Sequence, residues 1–98
     1  MTEMSKGGYL AVSFKSYLAA LKARELAKPE DKRRTVPTAN QVGKMAGLSQ
    51  SATSRLTGGR AKSLPVDRVC AMLNVMNNLG FETKITDFFT YTFEGEGA

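Results

Sequence analysis

Prolines and glycines cut this chain into pieces too short for any one long element. Pro29 and Pro37 bracket a charged stretch, KPEDKRRTVP, at residues 28–37; Gly47 interrupts the next piece, Gly58-Gly59 and Pro65 bracket a basic turn, and Gly80 closes the piece after it. The residue before a proline avoids the helical region, and glycine supplies the left-handed residue that ends many helices. Between these breaks the apolar residues recur at helical spacing. Leu10, Phe14, Tyr17, Leu18 and Leu21 share one face of a first helix, predicted from a cap at Ser13 to about Ala27.

The second helix is predicted over Ala39 to about Ala46. Thr38 caps it and Gln41 stands three residues on, the spacing of a reciprocal capping box. Gly47 stops it, Leu48 follows, and Ser49 caps a third helix over Gln50 to about Thr57. A fourth opens at Ser63 or Leu64, with Pro65 tolerated in its first turn. Its buried stripe is read as Val66, Val69, Cys70, Leu73, Met76 and Leu79, widened by Met72 and Val75, with Cys70 as a small core residue. The tail then changes period. FETKITDFFTYTF, residues 81–93, alternates apolar with polar residues and is rich in aromatic and β-branched side chains, which favours a strand. The competing reading is a short helix capped at Thr86 with Phe88 and Phe89 inward. The fold class expected is mostly α: four helices with a C-terminal β-strand. The chain divides into a flexible N-terminus (1–9), a helical domain (10–80), the strand (81–93) and a flexible tail (94–98).

Composition narrows the chemistry. There is no histidine, so the commonest general base and the commonest zinc ligand are both missing. A Ser-His-Asp or Cys-His nucleophile cannot be assembled, no metal or other cofactor is implied, and an enzyme is not expected. A single cysteine fits a reducing cytoplasm. Apolar runs are only a few residues long, so neither a transmembrane helix nor a signal peptide is expected, and no membrane partner. The net charge is +5 and the pI about 9.6. Twelve of the fourteen Lys and Arg residues lie within residues 1–62, whereas from Asp87 onward there are three acids and no base. Such asymmetry suits a basic face turned toward a polyanion, although an ordinary solvated basic surface accounts for the charge alone.

The stretch PTANQVGKMAGLSQSATSRLTGG, residues 37–59, gives that polyanion a form. Two short helices joined by a tight glycine-containing turn cross steeply. Gly43 removes a side chain where the backbones approach, and Val42, Ala46, Leu48 and Leu56 bury the junction, with Thr53 an unusually polar member. The outward side of the third helix carries Gln50, Ser51, Ser54 and Arg55. These types read base edges: Arg pairs with guanine, Gln with adenine, Ser with either. They cluster at the helix start, the end that enters the major groove.

This stretch resembles the Cro/lambda-repressor-like (XRE-like) helix-turn-helix family, through Thr38, Gly43, Gly47, Leu48, Ser49, Ser51, Ser54 and Arg55. SLPVDRVCAMLNVMNNLGFETKI is similar to the continuation in one branch of that family, and the resemblance spans roughly residues 13–86. It implies a lambda-repressor-like bundle and a sequence-specific regulator of transcription, a repressor, bound to double-stranded DNA. Gln50, Ser51, Ser54 and Arg55 then read bases, while Thr38, Lys44, Ser49, Arg60 and Lys62 hold phosphates. Two positions depart from the pattern: Ala39 stands where glutamine is frequent, and Thr53 where an apolar residue is usual, which predicts looser packing. The linker is longer than usual, and its DKRR offers further backbone contacts. The strand is expected to pair with its copy in a homodimer through Phe81, Ile85, Phe89, Tyr91 and Phe93. The alternative function is a protein-interaction module, an antitoxin that neutralises a toxin partner.

Overall fold

The computed structural model describes residues 7–59 and 65–94. Helix α1, Phe14–Leu26, forms where the spacing predicts it and buries Phe14, Leu18 and Leu21. Leu10, expected on the same stripe, instead lies ahead of the helix in strand β1, Gly7–Val12, and is exposed. Beyond α1 the chain makes a single 3₁₀ turn at Glu30–Lys32. The linker is tied down by its own arginines. Arg33 donates from Nε to the Lys28 carbonyl (3.0 Å) and from Nη2 to the Leu26 carbonyl (3.1 Å), satisfying acceptors that a helix end leaves open. Arg34 reaches back to the buried Glu25 and forward to the Gly80 carbonyl (2.7 Å), with its guanidinium 4.2 Å above the Phe81 ring. Both arginines of DKRR, expected to offer further backbone contacts to DNA, are thus engaged within the chain while remaining exposed.

Two short helices follow, α2 (Ala39–Met45) and α3 (Gln50–Thr57), and then α4 (Val66–Asn78). The α4 stripe is rotated from its expected position. Val69, Met72 and Met76 are buried, Leu73 and Val75 are half-buried, and Val66, Cys70 and Leu79 are exposed. Met72 thus belongs to the centre of the buried face, which lies about one residue's rotation away from Cys70. Cys70 is no core residue. Residues 63 and 64, where the helix was expected to open, lie outside the described residues.

The tail differs most from expectation. Residues 81–93 are not one strand: Ile85–Phe88 form a one-turn helix, α5, and strand β2 runs Phe89–Glu94. The physical reason lies in two adjacent phenylalanines. A continuous strand would send Phe88 and Phe89 to opposite faces, whereas both are buried here. The one-turn helix breaks the alternation and lets both turn inward. Phe88 stacks on Phe14 (centroids 4.7 Å apart) and packs against Phe89 (4.9 Å). The turn begins at Lys84, whose N–H donates to the Asp87 carboxylate (2.8 Å), rather than at Thr86. Just before it, the Asn77 side-chain amide bonds both the N–H and the carbonyl of Thr83 (3.2 and 3.1 Å), so an asparagine takes the place of a neighbouring strand.

Strand β2 is not alone either. It pairs antiparallel with β1 of the same chain, from Gly7↔Glu94 to Val12↔Phe89. Residues 7–9, expected to be flexible, are part of that ribbon; residues 1–6 and 95–98 lie outside the described residues. The result is a mostly helical chain with a small two-stranded sheet, its core built from α1, α2, α3, α4 and the Phe81, Phe88 and Phe89 aromatics. Among the described residues no helix is long and apolar enough to cross a membrane.

Candidate functional site

The joint between α2 and α3 is built from short-range chemistry. The Thr38 hydroxyl accepts from Gln41 N–H (3.2 Å) and the Gln41 side chain accepts from Thr38 N–H (2.9 Å), the reciprocal box expected from sequence. At the other end Gly47 has φ +83°, and the chain reverses through Leu48 N–H to the Gly43 carbonyl (2.8 Å) and Gly47 N–H to the Lys44 carbonyl (3.0 Å). The hydroxyl of Ser49 accepts from Ala52 N–H (3.1 Å) and so starts α3.

Gly43 is where the two helices touch. A Cβ on it would collide with the Oγ1, Cγ2 and Cβ atoms of Thr53. Thr53 is 1% exposed, and its hydroxyl donates to the Ser49 carbonyl (2.9 Å). The packing at Thr53 is tight, not loose. The small polar residue fits because its hydroxyl is satisfied by the Ser49 carbonyl while Oγ1 and the methyl together occupy the space left by the glycine.

With Thr53, Leu56 and Thr57 facing inward, Gln50, Ser51, Ser54 and Arg55 face out, and all four are exposed. At 3.6 residues per turn they spread over an arc of about 140°. Lys44 and Gln50 come together at the rim of an open groove of about 460 Å³ between α2 and α3, lined also by Asn40, Leu48 and Thr53. Asn40 went unnoticed in the sequence, although it precedes Lys44 by four residues and so shares its face of α2. Thr38 and Ser49 are exposed at the starts of α2 and α3. Arg60 and Lys62 lie outside the described residues. Of the five residues expected to join two copies, Phe81 and Phe89 are 3% and 7% exposed and belong to the core of their own chain. Ile85 is exposed on α5, and Tyr91 and Phe93 on the ribbon.

The electrostatics of this face are one-sided. Neither α2 nor α3 has an acid in its first turn, and the sequence carries no Asp or Glu from Lys32 to Val66. That gap was legible in the sequence and is sharper than the overall charge. Among the described residues neither Lys44 nor Arg55 pairs with an acid; the ion pairs there gather at Glu25, with Lys28 (2.9 Å) and Arg34 (3.0 Å). Hydrogen bonds from the Lys28 ammonium and from the Arg34 amide and guanidinium hold the Glu25 carboxyl down at about 2, against burial, which pushes it up. This cluster braces the linker, so charge there is consumed by structure, whereas charge on α2 and α3 is left to solvent.

Comparison with family models, with curated proteins and with solved structures finds no match. Among the described residues no cluster of acid or cysteine side chains is arranged to hold a metal ion.

Proposed function

We propose that this protein binds double-stranded DNA sequence-specifically, as a homodimeric transcriptional repressor, with α2 and α3 acting as a helix-turn-helix and α3 lying in the major groove. The observation that carries the reading is the outward face of α3. Gln50, Ser51, Ser54 and Arg55 stand exposed on a helix locked to its neighbour at Gly43–Thr53, within a segment free of acids. Bidentate side chains held on a rigid helix discriminate bases, and the lack of carboxylates nearby leaves phosphates unopposed. Lys44, Ser49 and Thr38 flank that face, and Arg60 and Lys62 follow it in sequence. A protein seated on a promoter site blocks the polymerase, so repression is the mode of regulation this reading assigns.

The second copy is assigned to the ribbon. Gly8, Leu10 and Val12 of β1 lie on the same face as Phe93, Tyr91 and Phe89 of β2. Leu10 is 36% exposed, and Tyr91 and Phe93 are each 62% exposed. The face carries no charge, so two copies meet on it about a two-fold axis without like-charge repulsion. Two α3 helices set about 34 Å apart then match successive major-groove turns.

The test is to recover genomic DNA fragments bound by the protein and to measure affinity for a recovered site against salt. Lys44, Arg60 and Lys62 from each of two copies release about six counterions, which gives a slope of log K on log salt of about −5. Arg33 and Arg34 are left out of that sum because they are engaged with α1. Gln50→Ala and Arg55→Ala each cost about 1–3 kcal/mol at the recovered site and relax base preference there, whereas Lys44→Ala weakens all sequences alike. A flat salt response, or intact base preference in both α3 variants, refutes the assignment.

A further inference from the structure

A backbone hydrogen bond joins the ribbon to the segment that follows α3. The last two amides at the base of β1 bond in different directions. Ser13 N–H donates to the Phe88 carbonyl (2.8 Å), at the end of α5, whereas Val12 N–H donates to the Gly59 carbonyl (2.9 Å), two residues beyond α3. The segment leaving the recognition helix is therefore bonded to the ribbon that carries the dimer face. Gly59 makes this bond with φ +67°, in the left-handed region, where a Cβ would meet no atom of the described residues within 4 Å. The position is restricted by backbone conformation and not by space.

We propose that Gly59 is a positioning residue: its left-handed turn and its bond to Val12 fix α3 relative to the ribbon, so that dimerisation through the ribbon dictates the spacing between the two half-sites the protein accepts. The proposal rests on the reading of α3 as the base-reading helix and of the ribbon as the dimer contact. An amide–carbonyl bond at the foot of a ribbon sits close to the pivot, where a change of backbone angle swings the dimer face through the whole length of the ribbon. Six residues of strand extend about 20 Å. A tilt of about 10° at the foot displaces the far end by about 3.5 Å, close to the axial rise of one base pair. Loss of the restraint therefore blurs spacing by about one base pair while leaving the contacts made by each α3 intact.

Because a Cβ at position 59 meets no atom of the described residues within 4 Å, substitutions there act through the backbone. Alanine disfavours the left-handed conformation, whereas asparagine tolerates it. The experiment uses the full chain as wild type, Gly59→Ala and Gly59→Asn. The probes are a duplex carrying the two-half-site sequence selected by the wild type, the same duplex with one or two base pairs inserted between the half-sites, and a single half-site. Wild type is expected to lose about tenfold or more in affinity per inserted pair. G59A is expected to lose less than about threefold while keeping wild-type affinity for the single half-site, and G59N to follow wild type. A variant that had merely lost stability would lose affinity for every probe alike. If G59A keeps the wild-type spacing profile, Gly59 does not position α3, and the DNA reading stands without it. If the wild type selects no duplex, the DNA reading itself falls and takes this proposal with it.

Discussion

Replacing Gly43 by alanine sets two rules against each other. In an ordinary helix interior the change stabilises by about 1 kcal/mol, because glycine carries more conformational entropy into the unfolded state. Here the new Cβ would collide with Thr53 Oγ1 and lie 2.5 Å from its Cγ2 and 2.8 Å from its Cβ. Side-chain rotation can move the first two atoms away but not the third, which is fixed by the α3 backbone, so α2 and α3 must separate. Overpacking of this kind costs about 1–3 kcal/mol, and contact with a fixed atom places it in the upper part of that range. After the helix-propensity gain of about 1 kcal/mol, Gly43→Ala is expected to destabilise by about 1–2 kcal/mol. For a chain of this length the melting temperature falls by about 5–15 °C, read by circular dichroism on heating and checked by urea titration. In a Thr53→Ala background two of the three contacts are gone, so the same substitution costs about 1 kcal/mol less. A Gly43→Ala protein as stable as wild type, or more stable, would mean that propensity decides and that the helices are not locked at this point.

Other consequences are open to direct measurement. Thr38→Ala removes one half of the capping box and should cost about 1 kcal/mol in urea unfolding, whereas Asn40→Ala, nearby but outside the box, should cost much less. Glu25 has its folded pKa lowered from 4.5 to about 2, so its contribution to stability is present above pH 4.5 and is lost as the pH falls through about 2. Over that window wild type should lose more stability than Glu25→Gln; parallel curves would remove Glu25 as an acid-sensitive brace. If the proposed dimer forms on the ribbon, Tyr91→Ser combined with Phe93→Ser should leave a monomer in sedimentation experiments while keeping the helical circular dichroism signal, because both side chains are 62% exposed in one copy.

What could be read from sequence was local. Thr38 with Gln41, Gly47 and Ser49 each act within four residues of themselves, and the structure forms each feature where the spacing put it. The outward placement of Gln50, Ser51, Ser54 and Arg55 follows from the same helical period. What escaped was long-range. Residues 7–12 hold two glycines and little alternation, so β1 has no strong signature of its own; it is a strand because residues 89–94 pair with it. The burial of Glu25 and the fate of Arg34 depend on the path of the linker back across α1. The tail offered both strand and helix signals, and the chain uses both in succession, since only that arrangement buries Phe88 together with Phe89. Rotation of the α4 stripe away from Cys70 was likewise a matter of packing: several apolar residues competed for one inward face, and the spacing alone did not choose among them.

The pairing of β1 with β2 also orders events during synthesis. β1 leaves the ribosome about 80 residues ahead of its partner, a wait of roughly 4–16 s at roughly 5–20 residues per second. Phe14 waits almost as long for Phe88, against which it stacks. The α2–α3 joint, whose contacts are all close in sequence, forms early by comparison. The nascent chain therefore acquires α3 before the fold that supports it is closed. A product terminated before residue 89 would carry that helix while leaving both edges of the β1 segment without the partner strand, a form suited to association with other chains. Closure of the ribbon thus comes after the α2–α3 joint in the order in which translation supplies the parts.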